Sequence, residues 1–252
     1  TPMRYAWDQF DAYFGSKRVG QLQNQLYREI FSRLARWDTA TSGRVSRYIA
    51  DSQHVAGRIN RYYNRNATVV HPPVDTDFFY PNESDRDTYF LVVSALVPYK
   101  RIDVAIEACR RTGMPLKIVG SGPERERLQT QSGADVEFLG TRSDDEIRAL
   151  YRRARGVLLP GEEDFGIVAV EAMSCGTPVI GLARGGTTET IIEGISGVLV
   201  EQLTPDSFAT GITRTMASPF DSQAIRSHAL RFSQSRFIDA MRRCIEETAH
   251  AQ

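Results

Sequence analysis

Cysteine is scarce. Cys109, Cys175 and Cys244 are the only three in 252 residues, and no two stand at metal-ligand spacing. The pattern argues against a disulfide framework and points to a reducing compartment. No apolar run approaches the ~20 residues that a membrane-spanning helix needs, and no signal-peptide pattern opens the sequence. There is no Asp-x-Asp or His/Cys cluster in a suitable loop, so no metal is expected. Net charge is also missing, with 31 Lys and Arg against 31 Asp and Glu. Nothing suggests a nucleic-acid partner, internal repeats or low complexity. What remains is 41% hydrophobic and 25% charged, an ordinary globular composition.

The zero net charge hides an asymmetry. Residues 1–72 hold 11 Lys and Arg against 5 Asp and Glu, and the remaining 180 hold 20 against 26. The basic segment also carries Tyr5, Trp7, Phe10, Tyr13 and Phe14. That mixture suits an anionic membrane surface or a phosphorylated ligand, or else aromatic core beneath a solvated charged face.

Helical spacing of Leu22, Leu26, Ile30, Phe31 and Leu34 predicts an amphipathic helix over residues 19–37. A short strand (44–52), a helix (54–64) and a strand stopped by Pro72 and Pro73 follow. Beyond residue 73 apolar runs alternate with helical patterns. Strands are expected at 89–96, 115–121, 136–140, 155–161, 178–182 and 197–200, with helices beginning near Arg101, Pro123, Asp144, Ile167 and Thr187. This rhythm implies βαβ units and a parallel sheet, and runs as apolar as "FLVVSAL" imply cover on both faces. The expected fold is α/β, with one complete doubly wound Rossmann-like domain (73–225) and a partial one (1–72). A C-terminal helix within 226–252, capped by Ser233 or Ser235, is expected to line one face with Phe237, Ile238, Met241 and Ile245 and to cross back onto residues 1–72.

Ligands of open parallel sheets bind at the carboxyl ends of the strands, where strand order reverses. The loops there are "SALVPYKR" (94–101), "GSGPE" (120–124), "LGTRSDDE" (139–146) and "GEEDFG" (161–166). Gly120 and Gly122 allow a tight turn or the approach of a flat ligand, and equally fit a plain strand-to-helix turn. Lys100 and Arg101 beside a helix start could hold phosphate oxygens, or be ordinary surface cations. In "GEEDFGIVAVEAMSCGTPVIG" the turn at Phe165-Gly166 opens a helix whose first amides could hold an anion. Glu163 could accept hydrogen bonds from sugar hydroxyls, and Glu171 could reach a diol such as a ribose. Acids near a helix start also stabilise the helix. An acid inside "IVAVEAMSCG" is harder to explain that way, because burying it unpartnered would cost several kcal/mol.

Glu163 and Glu171 reproduce the spacing of an E-x7-E motif. The chain resembles the retaining GT-B glycosyltransferases of the family-4 (group 1) type. The similarity runs through "PPVDTDFF", "LVVSALVPYKRIDVAIEA", "IVGSGPERERL", "FLGTRSDDEIRALY", "PGEEDFGIVAVEAMSCGTPVIGLARGGTTETI" and "SGVLV" in that family's order. The "PYKR" and "EEDFGI" forms most resemble bacterial mannosyltransferases of O-antigen and exopolysaccharide assembly. The resemblance implies that Lys100 and Arg101 hold the diphosphate, with Ser94 on the same loop. Gly120, Gly122, Leu139, Gly140 and Thr141 would frame the base. Glu163, with Asp164 beside it, would contact the donor sugar. Phe165, Gly166, Ile167 and Val168 would present backbone amides, and Glu171 would hold the ribose. Ala95 stands where many members carry Arg, so part of the phosphate clamp would fall to Lys100 and Arg101.

The activity implied is transfer of a sugar, mannose from GDP-mannose, to a glycan or polyprenyl-linked acceptor in cell-surface polysaccharide synthesis, without cofactor or metal. The expected location is the cytoplasm, with the basic segment available for peripheral association with the inner membrane. "TPMRYAWD" resembles a stretch inside the acceptor domain of that family, so a truncated chain is expected, with residues 1–72 a remnant of that domain. Two other readings fit the residues: a non-catalytic nucleotide-binding module of the same fold, which would have no evident need of Glu163, and a nucleotide-sugar epimerase, for which no strong acid–base pair is visible.

Overall fold

A computed structural model describes residues 4–15, 19–82 and 86–250, the side chains of Arg4, Tyr5 and Ala12 excepted. The chain divides into two compact units, residues 1–71 with 241–252 and residues 72–240.

The first unit contains helices α1 (Arg4–Trp7), α2 (Phe10–Phe14), α3 (Gln21–Thr41) and α4 (Gln53–Tyr63), with strands β1 (Tyr48–Ala50) and β2 (Ala67–Val69). β1 and β2 pair in parallel, and α4 between them buries Val55 and Ile59 against Ala50. Ser52 caps α4 by accepting the Val55 N–H, and Asn64, left-handed, ends it. The aromatics pack on one another: Trp7 stacks on Tyr62 at 4.4 Å, and Phe14 tilts against Phe31 at 5.0 Å. The Tyr5 side chain lies outside the described residues.

The helix expected over residues 19–37 is present as α3, but its apolar stripe is only partly packed. Leu22 (84%), Leu26 (60%) and Ile30 (42%) are exposed, Phe31 packs on Phe10 and Phe14, and Asn24 and Ala35 are the buried positions. Asn24 is buried because its side-chain amide donates to Phe14 O, which a leucine cannot do.

The second unit is built on six parallel strands: β3 (Phe90–Val93), β4 (Leu116–Val119), β5 (Val136–Gly140), β6 (Gly156–Leu159), β7 (Val179–Leu182) and β8 (Gly197–Val200), in the order 5-4-3-6-7-8. Successive residues point to opposite faces. Phe90, Val92, Leu158 and Ile180 therefore pack under α5 (Ile102–Thr112), α6 (Arg125–Gln131) and α10 (Pro205–Ala217). Leu91, Val157, Leu159 and Val179 pack under α7 (Asp144–Arg153), α8 (Ile167–Ser174) and α11 (Ser222–Ala229). Between β7 and β8, α9 (Thr187–Thr190) is a single turn.

β3, β4 and β6 are shorter than the apolar runs that predict them, because the chain leaves the sheet early on the site side, while β5 and β8 keep the expected bounds and β7 starts one residue later. Leu96 N–H, for instance, bonds Ser121 O in the adjoining loop. The second unit also runs past residue 225. α11 is followed by a turn in which Phe232 O accepts the Val74 N–H, and Arg226 donates to Thr76 O, Phe79 O and Ser174 O. The last helix, α12 (Gln234–His250), turns Phe237, Met241 and Cys244 inward. Ile238 (45% exposed) and Ile245 (61%) lie outside, contrary to expectation, since they sit one residue off that face.

Candidate functional site

From β3 the chain steps outward through β4 and β5, then returns to lay β6 beside β3 and continues through β7 and β8 the other way. The reversal falls between β3 and β6, so the crevice lies beyond their carboxyl ends. Loop 94–101 enters it from β3 and loop 160–166 from β6. The two loops touch through Gly161, where a Cβ would sit 3.0 Å from Lys100 Cα and from Tyr99 O.

Lys100 ends a one-turn 3-10 helix, Pro98–Lys100, entered through the proline. Its Nζ donates to Glu163 Oε1 at 2.7 Å and Oε2 at 2.6 Å, with the side chains 19% and 14% exposed. Two residues named from separate motifs thus form one ion pair at the switch point. Arg101 diverges. It takes a left-handed conformation before α5, and its guanidinium pairs with Asp103 at 3.0 Å. The doubled cation of the sequence is, in the folded chain, one lysine on Glu163 and one arginine on Asp103.

The "EEDFG" loop is held from its far side by loop 183–186. Gly186 N–H donates to Glu163 O at 2.8 Å, and a Cβ on Gly186 would lie 2.3 Å from Phe165 Cα. Phe165 is core: it is 3% exposed and meets Phe232 edge-on at 5.4 Å. His228 Nε2 donates to Thr190 O behind the same loop, and burial lowers the imidazole pKa. Gly166 starts α8 at φ +94°, a conformation that strains any L side chain, and no side chain caps the helix. First-turn amides, those of Ile167 and Val168 among them, therefore stand at a positive helix end. Ile167 is 45% exposed there, and Asp164 is half-buried.

Glu171 lies one helical turn beyond Ile167, on the same face. Its Oε2 accepts a hydrogen bond from the fully buried Tyr151 at 2.9 Å. Burial pushes its carboxyl up to about 7, with Asp144 adding repulsion and the Tyr151 hydrogen bond acting the other way.

Gly120 and Gly122 serve chain packing first. Cβ atoms there would fall 1.9 Å from Ser94 O and 2.4 Å from Leu96 O, so the two loops close on each other backbone to backbone. Gly120 N–H also bonds Gly140 O. Ser94, Leu139 and Gly140 are partly buried along these loops, and Ala95 and Thr141 are exposed. Sequence reasoning passed over Tyr151, Gly161, Gly185 and Gly186. The Gly185-Gly186 doublet was a readable signal; Tyr151 was not, since one tyrosine in "RALYRR" reads as core. Among the described residues no three His, Cys, Asp or Glu side chains gather into a set that could hold a metal ion. No described helix is long and apolar enough to cross a membrane.

Comparison with known proteins agrees with this geometry. The family model of the group 1 glycosyl transferases matches residues 74–232. An uncharacterized glycosyltransferase of Methanocaldococcus jannaschii is 30% identical over 190 residues, 73% of this chain and 52% of its own length. A D-inositol 3-phosphate glycosyltransferase of Mycolicibacterium gilvum is 30% identical over 225 residues, 78% of this chain and 51% of its own. Among solved structures, Anabaena HepE in complex with UDP-glucose superposes with a TM-score of 0.74 at 23% identity, covering 84% of this chain and 67% of that one. Sucrose-phosphate synthase of Thermosynechococcus elongatus reaches 0.74 at 22%, covering 96% and 66%. The fold is that of the GT-B glycosyltransferases. This chain belongs to the group 1 glycosyl transferase family, and it spans about half the length of the curated relatives it matches.

Proposed function

We propose that the chain carries the donor site of a retaining glycosyltransferase that takes mannose from GDP-mannose to a glycan or polyprenyl-linked acceptor of the cell surface. The observation that carries the reading is the Lys100–Glu163 pair at the switch point, beside the uncapped start of α8 and within one helix of Glu171. A cation and helix amides suit a diphosphate, and a carboxylate a short helix away suits the ribose diol. Lys100 takes the diphosphate, joined by Arg101 when that side chain leaves Asp103. Glu163 then turns to the donor sugar. The C1–O bond breaks with its electron pair leaving on the diphosphate, where Lys100 and the α8 amides meet the growing negative charge, while an acceptor hydroxyl attacks the same face and passes its proton to the departing phosphate oxygen. No residue in this scheme requires a metal.

The mannose assignment rests on the "PYKR" and "EEDFGI" forms. HepE was solved with UDP-glucose, which makes uridine the alternative to exclude. Calorimetry of the 252-residue chain with GDP, UDP and ADP, and with GDP-mannose and UDP-glucose, tests the reading. GDP is expected to bind most tightly. A preference for UDP would move the donor, and no binding by any of them would end the donor-site reading.

A further inference from the structure

Glu171 is paired with a phenol, and the inference drawn from it rests on the reading of Glu171 as the ribose acceptor. Tyr151 is clamped at both ends. Its ring meets Phe79 at 5.9 Å, and its main-chain carbonyl accepts from Thr177 Oγ1 at 2.6 Å. The Thr177 hydroxyl in turn accepts from Arg86 Nη1 at 2.8 Å, and Arg86 also donates to Ala154 O and Gly176 O. From the far end of the sheet to the Glu171 carboxylate, each group is fixed by the one before it. A buried phenol needs an acceptor, but a backbone carbonyl would serve without the cost of desolvating a charge.

We propose that Tyr151 is a positioning residue: it holds Glu171 Oε2 so that Oε1 and the remaining lone pair of Oε2 are set for the two hydroxyls of a bound nucleoside. A carboxylate whose rotation is already fixed loses less freedom when the diol arrives. The phenol also favours the ionised form that the diol requires. Facing Glu171 from α7 are Tyr151 and Asp144, which oppose each other in this respect; Cys175, at the C-terminal cap of α8, is a buried thiol held up at about 12. Arg148 and Arg152 of α7 and Arg226 of α11 act on that thiol.

The test uses the 252-residue chain, guanosine and uridine with their diphosphates, and a pH series from about 5.5 to 8.5. Tyr151→Phe should weaken nucleoside and diphosphate alike, by about three- to tenfold at pH 8, and move the midpoint of the pH dependence upward. Carboxyl NMR of the ligand-free chain should show the Glu171 titration rising with it. Placing 3-fluorotyrosine at position 151, a stronger donor of the same shape, should move that midpoint down, and it serves if Tyr151→Phe does not fold. In a Glu171→Gln background Tyr151→Phe should add little. Glu171→Gln without effect on any nucleoside would overturn the ribose reading and this inference with it. If Glu171→Gln weakens binding while Tyr151→Phe changes neither affinity nor midpoint, or adds its full effect to that of Glu171→Gln, the positioning role alone is overturned.

Discussion

Lys100 and Glu163 neutralise each other across the switch point, the ammonium lying within 2.7 Å of both carboxylate oxygens. They come from loops that follow β3 and β6, strands adjacent in space and 63 residues apart in the pairing side chains. In the ligand-free protein the cation proposed for the diphosphate is therefore already occupied. A diphosphate has to replace Glu163 on Lys100, and that displacement frees the acid for the sugar.

Glu163→Gln should consequently tighten plain GDP binding rather than leave it unchanged, by about 1 kcal/mol, the upper range for a partly exposed ion pair, or roughly fivefold. The same substitution should weaken GDP-mannose relative to GDP, because the amide cannot match the charge of the carboxylate against the sugar. Parallel titrations of the two ligands decide it. Weaker GDP binding in Glu163→Gln would mean that the pair organises the phosphate site instead of competing with it.

Lys100 and Arg101 should differ in size of effect. Lys100 is aimed into the crevice, whereas Arg101 is half-satisfied by Asp103 and 40% exposed. Lys100→Ala should cost GDP about 1.5–3 kcal/mol, the worth of a charge-assisted hydrogen bond, and leave guanosine unaffected. Arg101→Ala should cost less, because the ligand first has to draw Arg101 from Asp103. Equal losses of GDP and guanosine in Lys100→Ala would make the lysine a structural residue.

The doubly wound sheet was legible because parallel strands covered on both faces are apolar throughout, and the runs of β3, β6, β7 and β8 show this, while Lys117 and Glu137 interrupt β4 and the edge strand β5. The candidate loops were legible because a parallel sheet puts ligands at one end, where Gly and charge gather. Partnership was not. Nothing local in "PYKR" says that Lys100 turns to an acid 63 residues away while Arg101 turns to Asp103, since side-chain direction depends on the 3-10 turn at Pro98 and the left-handed backbone at Arg101. The α3 stripe misled for a related reason. Helical periodicity reports that a face is apolar, not that anything packs against it.

Glu171 should make nucleoside binding pH-dependent in a range where guanosine itself does not titrate. With its carboxyl near 7 in the free chain, only about a tenth is ionised at pH 6. If the diol takes the ionised form, affinity should fall about tenfold between pH 8 and pH 6, and binding should release a proton in that window. Stability runs in the opposite sense. The folded-state pKa lies above the unfolded value, so the unfolded chain gives up its proton first as pH rises. Stability is lost between about 4.5 and about 7, and stays lost above, by about 3 kcal/mol at ~1.4 kcal/mol per pKa unit. Glu171→Gln should therefore be more stable than the parent at pH 8, with no such gain at pH 4, and should bind guanosine weakly without pH dependence. Thermal unfolding at the two pH values, with guanosine titrations beside it, checks both signs.

The glycine behind the "EEDFG" loop offers a test that touches no charged group. A Cβ on Gly186 would lie 2.3 Å from Phe165 Cα, 2.4 Å from Asp164 O and 2.6 Å from Phe165 N, all main-chain atoms that cannot swing aside. Gly186→Ala must therefore push loop 161–166 away or strain it, at a cost of about 1–3 kcal/mol for an overpacked site. Because Gly186 N–H also holds Glu163 O, the displacement reaches the ion pair and the start of α8 together. The expected result is a lower melting temperature and at least a tenfold loss of GDP affinity, with guanosine reduced less because Glu171 sits deeper in the helix. Gly57 is the control. It is exposed inside α4 with nothing within 4 Å of its would-be Cβ, so Gly57→Ala should stabilise the chain by about 0.5–1 kcal/mol and leave binding untouched. Normal GDP binding by a folded Gly186→Ala chain would show that the packing of loop 183–186 does not set the geometry of the site.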